Sequence, residues 1–297
     1  MLLSKASIGI FAVQKFLFRM LIGLVFALFG LISYCTNVEK NPITGEVQRV
    51  SLSPSQEIVL GLKSRGQLAQ QYGGLDPNSR LQNYIDEVGL RVVKKSAAAQ
   101  SSYPFDFHLL RDPKTVNAFA LPGGQIFVTM ALFNRLKSEA QLAGVLGHEI
   151  GHVIGRHGSE HLARQRLGSA LVNAVGITAS DDPRNAQQAA ILAQAANQLV
   201  NLKYGRADEL ESDRLGFEFM TKAGYSPKGL VELMQILGSA NSGGAPPEFL
   251  STHPNPGNRV ELLQAIITET YPQGIPANLE EGQERFAQAV LTNNSEN

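Results

Sequence analysis

Residues 148–152 read His-Glu-Ile-Gly-His, two imidazoles four positions apart with a carboxylate directly after the first. On an α-helix successive residues turn by about 100°, so His148 and His152 project within about 40° of each other, one turn apart. Two imidazoles so placed can hold one metal ion. Glu149 projects about 100° from His148, near enough to take a proton from a water at the metal without binding the metal itself. The neighbours 145–147 and 153–154 carry no charge, as a buried metal-binding helix requires. Imidazole and carboxylate donors with an open position suit zinc, one ion per chain, and the chemistry is hydrolysis by an activated water.

A third ligand decides the class of site. A histidine six residues after His152 would mark a metzincin, but that position is Gly158. His157 falls one residue early and faces another direction, so His157 and His161 read as surface or supporting polar residues. A glutamate on a separate helix is the other option. In residues 204–220, YGRADELESDRLGFEFM, Arg206, Glu209 and Asp213 share one helix face. Glu209 would complete a His2Glu set, and Asp213 could accept a proton from the outer nitrogen of a ligand imidazole. Glu211 is rotated about 200° from Glu209, so only one of the two can point inward. A solvated charged helix face is the alternative reading of the same pattern.

Several elements must position these groups. Ser138 with Gln141 forms a capping box, so the histidine-bearing helix should begin there. Helical periodicity also runs through residues 56–72 and 81–95. Residues 105–110, 116–120 and 125–129 read as strands, with Pro122, Gly123 and Gly124 turning the second into the third. Beyond residue 138 nearly everything is helical. The fold class is therefore α+β and predominantly helical, a small sheet packed by many helices. Residues 168–200, uncharged and then Ala/Gln-rich, read as a packed helical hairpin or as a lid over the metal.

The 297 residues balance 26 Lys+Arg against 26 Asp+Glu, so no basic excess invites nucleic acid. The balance is uneven. Lys5, Lys15 and Arg19 are the charges before Cys35, and residues 20–33 are charge-free. That stretch suits the apolar region of a secretory signal and is short for a stable bilayer span. The catalytic part is expected outside the cytoplasm, on the periplasmic side of a cell envelope and beside a membrane. The single cysteine, Cys35, excludes an intramolecular disulfide and sits where a bacterial lipoprotein would be lipidated. Tyr34 departs from the small residue expected there, so lipidation and an uncleaved signal-anchor both stay open. The expected organisation is a signal or anchor over 1–34, a linker over 35–55, a catalytic domain over 56–270, and a C-terminal helix and polar tail over 271–297.

HExxH followed further along by ExxxD, Glu209 to Asp213, resembles the M48 family of zinc metallopeptidases, in particular its exported bacterial and mitochondrial inner-membrane branches. Residues 37–45, NVEKNPITG, resemble the start of the mature chain in lipoprotein members. Residues 117–124, NAFALPGG, with Ile126 to Thr129 after them, resemble the strand pair before the family's active-site helix. Thr252-His253-Pro254, with Pro256 and Arg259, resembles a late segment of the exported members. The resemblance implies a zincin-like, gluzincin fold with the sheet beside the active-site helix. It implies His148, His152 and Glu209 as zinc ligands and Glu149 as base. It also implies polypeptide substrates, unfolded or damaged proteins of the envelope. The oxyanion of such a reaction needs a second donor. His253 is the first candidate, with Arg206 and Tyr204 behind it, and His253 could instead occupy the metal when substrate is absent. The strand over 117–120 could pair with an extended substrate. A zinc-containing holdase with little proteolysis is the alternative function. Oligomeric state is not legible.

Overall fold

The computed structural model describes residues 2–179, 204–239, 247–253 and 258–294. The chain divides into two compact units, one made of Met1–Asn41, Glu46–Ser51 and Ser159–Ala195, the other of the remainder.

In the first unit a helix, α1, runs from Leu2 to Thr36. Its stretch Val13–Thr36 is 24 residues, long and apolar enough by length and composition to cross a membrane. The charge-free core alone looked too short for that. The difference is Lys15 and Arg19, which the helix includes, since long basic side chains can run their stems along apolar surface. Phe16, Leu21, Leu24 and Phe29 are exposed along α1. Gly30 instead meets the helix His157–Ala179, where an added Cβ would lie 2.8 Å from Ala170 Cβ. The expected linker is more ordered than its polar composition suggested. Strands β1 (Val38–Lys40) and β2 (Val47–Arg49) pair antiparallel, Val38 opposite Arg49. The buried amide of Asn41 donates to Gln48 Oε1 at 3.0 Å, and Asn41 N–H donates to Glu46 O at 2.8 Å. Side-chain amides satisfying one another are what let so polar a segment fold back.

In the second unit α2 (Pro54–Gln71) starts at a Ser53–Gln56 capping box, and α3 (Ser79–Lys95) starts at Asn78, whose side chain accepts from two backbone N–H groups. Both helices begin two residues before their apolar periodicity, because caps, not apolar residues, satisfy the first orphan donors. Strands β3 (Asp106–Leu110), β4 (Ala118–Leu121) and β5 (Gln125–Thr129) form a sheet in the order β3-β5-β4. β3 and β5 run parallel, with Phe107 opposite Ile126, and β4 pairs antiparallel to β5 at the edge. The turn into β5 holds Gly123 and Gly124 at φ 86° and 98°. A Cβ on Gly123 would come within 2.4 Å of the Ile58 backbone, so only glycine fits there.

A short α4 (Met130–Phe133) leads to α5 (Glu139–Ile154), in which every residue is buried. Ser138 Oγ accepts the Gln141 N–H at 3.2 Å, as a cap should, but the Gln141 side chain reaches back to the Lys137 N–H at 2.7 Å, one residue beyond the usual box. The helix α6 spans His157–Ala179, after Arg156 at φ 54° makes the break from α5. Then come α7 (Arg206–Lys222), α8 (Lys228–Ser239), α9 (Glu248–Thr252), α10 (Arg259–Thr270) and α11 (Gln283–Asn294). The helix α5 is wrapped chiefly by α7, α8, α3 and β4. Its approach to α7 is set by glycines. A Cβ on Gly216 would lie 2.9 Å from His148 N and 3.1 Å from Gly147 C, and one on Gly151 would lie 3.0 Å from Ser212 Cα. Backbone therefore touches backbone where the two candidate ligand helices cross. Residues 180–203 lie outside the described residues, and with them most of the segment read as a hairpin or lid.

Candidate metal centre

The crossing of α5 and α7 brings His148 and His152 against Glu209. The end of α9 adds His253. One donor atom from each of the four lies within 4.8 Å of all the others, and all four residues are buried. The two imidazole Nε2 atoms stand 3.1 Å apart. Glu209 presents Oε2 at 3.6 Å from His148 Nε2 and Oε1 at 3.4 Å from His152 Nε2. His253 Nδ1 is 3.0 Å from Glu209 Oε1 and 3.4 Å from His148 Nε2.

The outer side of this group decides its protonation. Asp213 Oδ1 is 3.0 Å from His148 Nδ1, and Arg259 grips the same carboxylate with Nε at 2.7 Å and Nη2 at 2.6 Å. Two donated bonds from a guanidinium keep Asp213 ionised. Burial alone would raise its pKa, but the hydrogen bonds from Arg259 and His148 outweigh burial and hold it below the usual carboxylate range. An ionised Asp213 accepts only, so the proton of neutral His148 sits on Nδ1 and its Nε2 carries a lone pair. Burial also pushes the pKa of His152 well down, keeping that ring neutral. Glu209 lies well below the ordinary range: burial opposes this, but the charge of His253 and its hydrogen bond to Glu209 prevail. Two imidazole nitrogens and an ionised carboxylate converging at these separations fit a cation. Glu209 Oε2 also lacks a hydrogen bond among the described residues, although Arg259 Nη1 lies 2.7 Å away as an ion-pair partner.

Glu149 is fully buried, and neither of its carboxylate oxygens has a hydrogen-bond partner among the described residues. Its Oε1 is 3.7 Å from His253 Nε2. Burial raises its pKa, against the opposing charges of His253 and His148, which favours taking up a proton. The Tyr204 ring stacks on His152 at 3.9 Å between centroids, and Phe249 stacks on His253 at 4.4 Å. Tyr204 N–H donates to Thr252 O at 3.0 Å, tying this cover to the end of α9.

Arg206 does not join the centre. It is the first residue of α7, exposed, with its guanidinium directed at Asn258 Oδ1, 3.4 Å away. The shared-face argument fails there because the first turn of the helix extends past the ligands. Arg259, which the sequence offers only within the segment after His253, is the cation that reaches both carboxylates. His157 is buried rather than superficial.

The family described as Peptidase family M48 matches residues 79–267. The chain is 29% identical over 236 residues to the Beta-barrel assembly-enhancing protease of Escherichia coli (strain K12), covering 77% of this chain and 47% of that protein. It is 31% identical over 224 residues to the Putative beta-barrel assembly-enhancing protease of Vibrio cholerae, covering 74% and 46%. It is 28% identical over 247 residues to the Mitochondrial metalloendopeptidase OMA1 of Schizosaccharomyces pombe, covering 81% and 69%. The chain thus spans about half the length of the bacterial relatives it matches.

Proposed function

This chain belongs to peptidase family M48, and we propose that it is a zinc-dependent endopeptidase acting on unfolded or damaged proteins beside an envelope membrane. The observation that carries the reading is Glu149, a buried carboxylate with no hydrogen-bond partner among the described residues, beside four convergent donors. His148, His152 and Glu209 would hold the ion, which supplies Lewis-acid polarisation of water and of the substrate carbonyl. Glu149 takes the proton of the attacking water and later delivers it to the leaving amine nitrogen. Asp213 and Arg259 keep His148 in the tautomer that presents Nε2.

His253 serves in this arrangement as a fourth donor, with Tyr204 and Phe249 packed over the centre. Substrate entry then requires the end of α9 to withdraw, after which His253 is available as the second oxyanion donor. β4, at the edge of the sheet, offers an extended peptide a strand to pair with. The stretch Val13–Thr36, or a lipid on the exposed Cys35, would attach the enzyme to the periplasmic side of the membrane. Polypeptide substrates fit the protease and metalloendopeptidase relatives, and the balanced charge gives nucleic acid no place in the reading. The test compares wild type with Glu149→Gln on unfolded casein, measuring zinc alongside. Lost cleavage with one zinc per chain retained supports the proposal, and equal cleavage by both refutes it.

A further inference from the structure

Behind His148 stands Asp213, held by Arg259. Behind His152, among the described residues, no carboxylate bonds to Nδ1. Its Nδ1 instead faces Nδ1 of His157 at 2.9 Å, and His157 Nε2 faces Glu211 Oε2 at 3.1 Å. All the contacts belong to one buried stack, since His152 and His157 are buried while only the Glu211 side chain, 19% exposed, reaches toward solvent. We propose that His157 and Glu211 are positioning residues that hold His152 in the tautomer required for metal binding.

The chain of protons follows from who can donate. A Glu211 carboxylate only accepts, so a singly protonated His157 ring facing it at 3.1 Å carries its proton on Nε2. His157 Nδ1 is then a lone pair; the Ser212 hydroxyl can also donate to it, but a second lone pair on His152 Nδ1 at 2.9 Å would repel it, so the shared proton sits on His152 Nδ1. That places the lone pair of His152 on Nε2, toward His148 and Glu209. The Ser212 hydroxyl, 3.3 Å from His157 Nδ1, does not reverse the order. For it to accept from that atom, His157 would have to turn an Nε2 lone pair onto the Glu211 carboxylate. Space for this second imidazole is built in. A Cβ on Gly155 would lie 2.5 Å from His157 Nε2 and 2.7 Å from its Cε1. The break at Arg156, with φ of 54°, is what turns α6 so that His157 comes back under His152.

The relay has a consequence that simple packing lacks. Changing Glu211 should reach the metal through two hydrogen bonds, without touching a ligand. In Glu211→Leu the His157 Nε2 proton loses its acceptor, the ring shifts its proton to Nδ1, and His152 is driven to protonate Nε2, the atom the metal needs. In Glu211→Gln the amide oxygen can still accept from Nε2. In His157→Phe the acceptor for His152 Nδ1–H is gone altogether.

The inference rests on the zinc-peptidase reading, and the experiment separates the two. Full-length protein in detergent is stripped with chelator and titrated with zinc against a competing chromophoric chelator. Histidine-labelled samples report ring tautomers by ¹⁵N NMR, and metal-free melting checks folding. Wild type should take up one zinc, with the His157 proton on Nε2. His157→Phe and Glu211→Leu should each bind zinc about 10- to 100-fold more weakly. Glu211→Gln should stay near wild type, and the double variant should be no worse than His157→Phe alone. A folded Glu211→Leu with wild-type zinc affinity overturns the relay. So does a wild-type His157 proton on Nδ1, a measurement that needs no variant to fold. If wild type itself binds no zinc, the metallopeptidase reading fails instead.

Discussion

Replacing Arg259 with Met should be among the most damaging single changes outside the ligands. The guanidinium is fully buried and makes two hydrogen bonds to Asp213 and an ion-pair contact to Glu209. Met keeps most of the stem volume but leaves two buried carboxylates facing each other with only imidazole protons for company. Removing one partner of a buried ion pair costs about 3–5 kcal/mol. At about 2–4 °C per kcal/mol for a domain of this size, the metal-free protein should melt roughly 6–20 °C lower. Zinc restores positive charge beside the same carboxylates, so the gap should narrow in the loaded protein. Far-UV circular dichroism melts with chelator and with zinc measure both quantities. Adding Asp213→Asn to Arg259→Met removes the stranded charge, so the double variant should recover part of the loss. A metal-free melting point within about 2 °C of wild type would refute the argument. A double variant showing the full sum of the two single costs would refute it as well, because coupled neighbours should not add.

Three other outcomes follow from the same geometry. Gly216→Ala puts a methyl 2.9 Å from the His148 backbone nitrogen, where no side chain can move aside. It should cost about 1–3 kcal/mol and weaken zinc binding by spreading α5 from α7, read by melting and by chelator competition. Stripping zinc from wild type should lower its melting temperature, since an ion present at about 1,000 times its Kd stabilises by about 4 kcal/mol. Identical melts with and without chelator would contradict a bound ion. Tyr225 is pushed up to about 12 by burial, with Glu139 adding to it. The raised value means the stability it lends is whole below pH 10 and lost as pH climbs through 12, a fall of about 3 kcal/mol. Tyr225→Phe should flatten that alkaline fall in a pH series of melts, and an unchanged slope would count against it.

What was legible in the sequence is whatever depends on angle about a single helix axis. The pairing of His148 with His152, the separate direction of Glu149, and the opposition of Glu209 and Glu211 all follow from 100° per residue. Spacing along one axis does not say what stands opposite each face, and that is where the reading ran out. Arg206 shares a face with Glu209 and Asp213, yet it sits one turn too early to meet α5, whereas Arg259, nearly fifty positions from Asp213, reaches both carboxylates. Glu211 was rightly turned away from Glu209. Its outward direction, however, leads to His157 before it reaches water, because α6 starts in the space behind His152. The paired glycines explain why such partners come so near. With Gly147 and Gly216 in contact, the two helices pass at backbone distance, and carboxylates on α7 reach the imidazoles of α5 from both sides of the crossing. The glycines are visible in the sequence as isolated residues inside helical patterns, which cost helix propensity and so signal a packing demand. Only their mutual placement turns that demand into a metal centre whose two histidines are anchored differently, one by a rigid guanidinium–carboxylate pair and the other through a second imidazole.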